Sequence, residues 1–308
     1  MERFRLPHDG SWTKVGKTME VILSTLINGL SLGGIYAMIA LGYTMVYGIA
    51  KMLNFAHGDI IMVGGYLIYV FMATNNPLLA VGLACIGCMI LGITIEKVAY
   101  KPLRGASPLA VLITAIGVSY LLQSLAQIIF GSASKMVTVY EFGAVKFMGV
   151  TVQVSSLVTL AVTVVVMTAL TLFVKCTRLG RAMIAVSEDK SAAQLMGINV
   201  NGIITITFAI GSVLAALAGL FYLLKAPNVF NTMGAMPGIK AFTAAVIGGI
   251  GSIPGAMLGG ILLGVVESIS YKITAIAPYT DAIEFSILIL ILLVRPTGFL
   301  GKKRREKV

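Results

Sequence analysis

Charge is scarce in this chain: Asp, Glu, Lys and Arg together make up 11% of its 308 residues, against about a quarter in an ordinary soluble domain. Acidic residues number 12 and histidines 2, so few of the acids, bases and metal ligands that enzymes use are present. Of the three cysteines, Cys85 and Cys88 form a C-x-x-C inside an apolar stretch with no histidine or second pair nearby. Structural zinc needs four ligands, so these two are read as small packing residues. Cys176 stands beside Lys175 and Arg178, and three cysteines so placed give no disulfide framework. No Walker A loop, H-E-x-x-H, haem ligand set or nucleophile elbow occurs, so the chain is not expected to hydrolyse anything itself.

Apolar residues fill the space that charge leaves, at 58% of the chain and a mean hydropathy of +0.96. Charge-free runs cover 21–50, 60–95, 105–134, 147–174, 191–224 and 241–266, each longer than the roughly 20 apolar residues a helix needs to cross a bilayer. The fold class is therefore an all-α, polytopic membrane bundle of about eight to ten transmembrane helices. A β-barrel would instead show alternating segments of about ten residues. The net charge of +11 sits mainly in short segments beside the apolar runs, where membrane topology places it, so nucleic acid is not expected as a partner. The apolar run after Glu20 is too long for the core of a signal peptide and lacks an A-x-A site, so it is read as an anchor.

Residues 1–20 are polar and basic, with Arg3, Arg5, Lys14, Lys17 and an interfacial Trp12, and read as a cytoplasmic or interfacial lead-in. Val21–Ala50 is either one long tilted helix or two short ones. Ile60–Thr74 and Leu78–Ile95 are the next apolar segments, separated by Asn75-Asn76-Pro77. A basic connection from Glu96 to Arg104 leads to Pro108–Phe130, where Ser119, Gln123 and Gln127 recur at helical spacing and share one face. A mixed polar loop covers 131–151, and Val152–Val174 spans again. Lys175–Val200 is the longest hydrophilic segment of the interior and is placed in the cytoplasm. Ile203–Leu224 crosses back, and Ala241–Val266 is broken at 248–255 by glycines and Pro254, which argues for two short helices. The last span ends near Arg295-Pro296, ahead of the basic tail 295–308. Between 175–200 and the tail four crossings fit; before them five or six do, and the basic residues of 1–20 favour an inside amino terminus.

The pairs Gly29/Gly33, Gly255/Gly259 and Gly260/Gly264 allow close helix packing. His57–Gly65 and Ser252–Gly260 each run from a turn into a Gly-Gly helix, a hint of the duplicated broken helices that mark transport axes. Asn54, His57 and Asp59 form a polar island between apolar runs. A buried His beside a carboxylate can serve a proton relay. Only Glu96, Glu267 and Glu284 add acids near apolar segments, so the preferred reading is a helix-opening turn, with Asp59 on the positive end of a helix starting near Ile60. In 175–200, a short amphipathic helix over 191–197 flanked by Arg178, Arg181, Glu188 and Asp189 is the candidate dock for a separate ATPase.

The stretch Leu41–Gly48, the run Asn54-Phe55-Ala56-His57-Gly58-Asp59, Gly64 to Tyr66, Glu96–Arg104, Gly180-Arg181-Ala182, Met196-Gly197-Ile198-Asn199, Lys240–Ala256 and Arg295-Pro296-Thr297-Gly298 together resemble permeases of branched-chain amino-acid ABC importers, most of all the H-type subunit of the leucine/isoleucine/valine system. The resemblance covers nearly all of the chain after residue 28. It implies a multi-pass subunit of a bacterial inner membrane, paired with a second unlike permease, served by two ABC ATPases and fed by a periplasmic amino-acid-binding protein. It implies no cofactor on this chain, ATP and Mg being used by the ATPases. Importer permeases of related type carry E-A-A-x3-G in the coupling segment; here Ala192-Ala193-x3-Gly197 is present with Ser191 in the acid's place, so Glu188 or Asp189 would have to substitute. The coupling set becomes Arg178, Gly180, Arg181, Glu188, Asp189, Ala192, Ala193 and Gly197. The path or signature set is Asn54, His57, Gly58, Asp59, Gln123, Gln127, Gly251 and Pro254. Two alternatives remain: a permease of the same family for urea or short amides, which shares the N-x-A-H-G pattern, and an ion-driven secondary transporter.

If the island opens a helix and relays no proton, His57→Ala will lower the yield of folded protein more than it shifts any pH dependence of uptake. A shifted pH profile at normal yield would restore the relay.

Overall fold

The computed structural model describes residues 11–301 apart from Glu141, Met148 and Gly149, so residues 1–10, with Arg3 and Arg5, and the basic stretch 302–308 lie outside the described residues. Among the described residues eight helices are long and apolar enough to cross a membrane, and a further apolar helix, Ala235–Gly248, is shorter. In chain order the helices are α1 (Ser11–Ala50), α2 (His57–Phe71), α3 (Pro77–Ile95), α4 (Pro108–Phe130), α5 (Val154–Cys176), α6 (Arg178–Glu188), α7 (Lys190–Leu195), α8 (Val200–Lys225), α9 (Ala235–Gly248), α10 (Ile253–Lys272) and α11 (Thr280–Val294). Among the described residues are also four short strands: β1 (Lys135–Met136) pairs antiparallel with β4 (Asn228–Val229), and β2 (Ala144–Phe147) with β3 (Val150–Gln153). The segment 21–50 is thus part of one continuous helix.

Helix boundaries follow the local chemistry. Asn76 and Ser107 accept from the backbone three residues on, each with a proline at the first helical position, and so open α3 and α4. Ser252 does the same for α10, with Pro254 at the second position. The break between α9 and α10 falls at Gly249 (φ 104°) and Gly251 (φ 92°), conformations that only glycine adopts without strain. The carbonyls left open at the end of α9 are satisfied by the returning chain: Phe299 and Leu300 donate their backbone N–H groups to Ile247 and Gly248, each at 2.9 Å.

α1 and α10 run antiparallel in backbone contact. A Cβ placed on Gly264 would lie 2.0 Å from the Gly33 nitrogen, and one on Gly260 2.4 Å from that of Ala37. Lipid tails supply no hydrophobic drive between helices, so close packing of small residues has to hold them together. Polar links reinforce this pair and tie α5 to it. Ser268 of α10 donates to the Thr25 carbonyl of α1 at 2.8 Å, and Ser156 of α5 donates to Asn28 of α1 at 3.0 Å. After Ile95 the third span continues through a π turn, Glu96–Tyr100, and a short 3₁₀ turn, Lys101–Leu103. There fully buried Glu96 accepts from Arg104 and, at 2.8 Å, from Thr205 of α8, while Arg104 also donates to Asn201.

The antiparallel pairing fixes the two ends of the bundle. Ala50, the α6–α7 segment, the break at 249–252 and the chain after Val294 share one end, with Lys51, Lys97, Lys101, Arg104, Arg178, Arg181, Lys190 and Arg295. Glu20, the strands and the end of α10 lie toward the other.

Gly264→Leu pushes a side chain into the backbone of α1, an overpacking that costs about 1–3 kcal/mol or more. It is expected to lower the melting temperature of the detergent-solubilised protein. Gly82→Ala, with nothing within 4 Å of the added methyl, leaves it unchanged.

Candidate functional site

α1 ends at Ala50 and the chain re-enters the bundle. Lys51 adopts φ 61°, and the turn closes with His57 donating its N–H to the Asn54 carbonyl at 3.1 Å and Asp59 donating to Ala56 at 3.1 Å. α2 therefore starts at His57, three residues earlier than the apolar pattern suggests. Its start is deep: the His57 ring lies against Gly42, where a Cβ would come 2.3 Å from Nε2, and Gly42 is eight residues, or about 12 Å of helix, before Ala50. Tyr43 meets the same ring edge-on at 4.8 Å.

The start of α9 lies at the same place. A Cβ on Gly58 would sit 2.6 Å from the Gly234 carbonyl oxygen, and one on Gly238 2.8 Å from the Gly58 Cα. Two short helices thus begin inside the bundle with their first turns in contact, α2 heading for one end and α9 for the other. The helix that partners α2 in this junction is α9, whereas the sequence similarity joined α2 to α10.

A polar lane runs beside the junction. Gln123 of α4 donates to Asp59 at 2.9 Å and is 3.3 Å from Ser119. One turn further on, Gln127 accepts from Asn231 at 3.4 Å. The polar face of α4 read from spacing is thus a face, and it lies against Asp59 and the chain entering α9. Asn54 is held elsewhere: Tyr100, on the π turn, donates to its Oδ1 at 2.8 Å. Among the described residues no hydrogen bond joins His57 to Asp59, and His57 Nε2 and Asn54 Nδ2 are buried without a partner. The proton relay thus lacks its first link. Gly251 and Pro254 are exposed at the end of the bundle and do not join the lane.

Between the junction and the basic end lies a crevice too narrow for water, with Tyr43, Tyr47, Met52, Leu53 and Asn54 facing Phe242 and Ile250. Its walls are aromatic and aliphatic, with one carboxamide.

Sequence reasoning missed Lys240. This α9 lysine is buried and reaches Glu267 of α10 at 3.0 Å, Asp281 at 2.8 Å and Glu284 at 3.3 Å, both of α11. Tyr36 of α1 donates to the other Glu267 oxygen at 2.6 Å. Glu267 and Glu284 were visible as buried acids, but nothing in the spacing places three helices around one ammonium. The available signal was Lys240 itself, the lone charge between Lys225 and Glu267.

In the hydrophilic segment the longer amphipathic helix is α6 (178–188), and only the short α7 falls in the expected 191–197. Thr177 caps α6, and Gly180 is pressed on the end of α5, where a Cβ would be 2.3 Å from the Val174 carbonyl. Met183, Val186 and Ala193 face inward; Arg178, Arg181, Glu188 and Ala192 face out. Asp189 accepts from the N–H groups of Ser191 and Ala192 as the cap of α7. Gly197 (φ 81°) closes α7. Leu195 is 89% exposed and Met196 83%.

Paired half-helices inside a multi-span bundle, a polar lane through lipid depth and an amphipathic segment at one end define a membrane permease. The chain belongs to the family described as branched-chain amino acid transport system permease component, whose profile matches residues 25–292. It is 44% identical over 304 residues to the high-affinity branched-chain amino acid transport system permease protein BraD of Pseudomonas aeruginosa, covering 93% of this chain and 98% of that one. The permease protein LivH of Escherichia coli is 41% identical over 305 residues, covering 93% and 97%. A probable LivH of Methanocaldococcus jannaschii is 29% identical over 283 residues, covering 86% and 88%.

Removing the cation from a buried charge cluster strands its carboxylates and costs about 3–5 kcal/mol. Lys240→Met is therefore expected to lower thermal stability strongly, and adding Glu267→Gln and Glu284→Gln to recover most of the loss. A triple variant no more stable than the single one would show that the groups do not act as a unit.

Proposed function

We propose that this protein is a permease subunit of an ATP-driven importer for the branched-chain amino acids leucine, isoleucine and valine, in the inner membrane of a bacterium. Membership of the permease family and the close relation to BraD and LivH favour this substrate class over urea or short amides. The basic end of the bundle is the cytoplasmic one, as the excess of Lys and Arg there requires. α1, described from Ser11, then carries its Glu20 end to the outer face, against the inside placement favoured by the charges of residues 1–20.

The observation that carries the ATP-driven reading is the α6–α7 segment. Leu195 and Met196 stand almost fully exposed at the cytoplasmic end, and Arg178, Arg181 and Glu188 of the same segment are exposed too. Exposed apolar residues on a segment that also presents charge suit a protein interface. One of the importer's two separate ATPases docks there; the pair hold the ATP and Mg and by closing on ATP push the segment, while this chain binds no cofactor of its own. The second, unlike permease covers the edge of α4, where exposed Gln127 would otherwise meet lipid. A periplasmic binding protein delivers substrate at the opposite end. The largely aromatic and aliphatic crevice suits branched aliphatic side chains, and Glu267, Asp281 and Glu284 are engaged with Lys240.

Arg181→Glu, Glu188→Lys and Leu195→Asp are each expected to cut ATPase co-purification and uptake about tenfold, in line with the 1–3 kcal/mol typical of coupling between sites, at unchanged membrane content. Wild-type uptake in all three would sink the docking assignment. Leucine bound by the co-purified binding protein would support the substrate class, and bound urea would overturn it.

A further inference from the structure

A strong polar contact joins the α6–α7 corner to the end of α1. Lys190, the first residue of α7, donates its ammonium to the carbonyl oxygen of Ala50 at 2.7 Å, across 140 residues of sequence. Ala50 is the last residue of α1, where backbone carbonyls lack helical partners and the helix dipole favours a cation. Lys190 is partly buried, and burial with Arg104 nearby lowers its pKa.

What lies beyond Ala50 gives this contact its use. Five of the eight residues lining the closed crevice, Tyr43, Tyr47, Met52, Leu53 and Asn54, belong to the last two turns of α1 or to the turn that follows. That turn begins at Lys51, a lysine in the left-handed region at φ 61°, whose own ammonium is folded back on the Gly48 carbonyl. A residue other than glycine in this conformation persists only where its surroundings enforce it, and such positions often mark switches. The opposite wall, Phe242 and Ile250, is on α9 and the break after it, whose end is held by the returning chain at Phe299 and Leu300. One wall is therefore held by the coupling segment and the other by the fixed body of the bundle.

We infer that Lys190 is a positioning residue: its bond to Ala50 is the latch through which movement of the α6–α7 segment shifts the end of α1 and opens the crevice, the cytoplasmic gate of the path. This rests on the proposed docking of ATPases on α6–α7, and the two can fail separately.

The test uses the assembled importer in proteoliposomes with Leu53→Cys as a reporter in a Cys176→Ser background. With Lys190 intact, labelling of Cys at 53 from the cytoplasmic face is expected to rise during ATP turnover. Lys190→Met should make labelling independent of ATP and lower uptake about tenfold, the scale of one charge-assisted hydrogen bond, while ATP hydrolysis changes less than about twofold. Lys190→Arg should restore both labelling and uptake, which a merely structural lysine does not predict. ATP-dependent labelling and normal uptake in Lys190→Met, no rescue by Arg, or loss of ATPase binding in Lys190→Met would each overturn the latch. If ATPase binding ignores Arg181, Glu188 and Leu195, the docking assignment has failed. If docking holds and Lys190→Met transports normally, only the latch has.

Discussion

A helix that begins in the middle of a bilayer leaves backbone N–H groups with no water to satisfy them, and α2 and α9 both begin there. The arrangement survives because each start is buried in protein and closed by its own turn. Asn54 and Ala56 supply carbonyls for α2, and the two first turns press together at Gly58, Gly234 and Gly238, where any side chain would separate them. Much of the site depends on this contact. It sets the depth of His57, aims Asp59 at the polar face of α4, and brings Phe242 of α9 to the crevice behind Tyr43.

Around this junction the bundle is held by two different kinds of force. Glycine faces bring α1, α10 and α9 into backbone contact, where dispersion is strongest and no polar group is needed. α11 has little such contact and is mostly open to lipid; it is tied by charge, through Asp281 and Glu284 to Lys240. Buried charge clusters seldom add net stability against an apolar alternative, but they tolerate few wrong arrangements. That property suits a helix whose sequence, Ile287 to Val294, would pack equally well almost anywhere.

The mechanical division follows from the same contacts. α9, α10, α11 and the chain at 297–301 form a continuous hydrogen-bonded and ion-paired body. The end of α1 and the turn at 51–56 carry one wall of the crevice and meet α7 at Lys190. The crevice lies on the boundary between the two parts, where the proposed opening would move one against the other.

Much of this was legible in the residues. The absence of charge set the class, and Asn76-Pro77, Ser107-Pro108 and Ser252-Ile253-Pro254 marked helix starts, because caps and prolines act within one turn. Gly249 and Gly251 marked the break, and the spacing of Ser119, Gln123 and Gln127 marked a face. The start of α2 was misjudged by three residues, because apolar patterning cannot see a helix whose first turn is polar and buried. A short helix was read near 191–197, where α7 lies, but α6 was not, because it owes its start to Thr177 and its seat to the end of α5. The sequence by itself determined a polytopic helical permease, its family and the position of its long hydrophilic segment, since these depend on composition, local propensity and motif. Only the tertiary structure decided that α2 meets α9, that Lys240 gathers carboxylates from two helices and that Lys190 sits on Ala50. Each of these is a meeting of residues far apart in the chain, fixed by which helix faces can approach closely, and no local pattern encodes that.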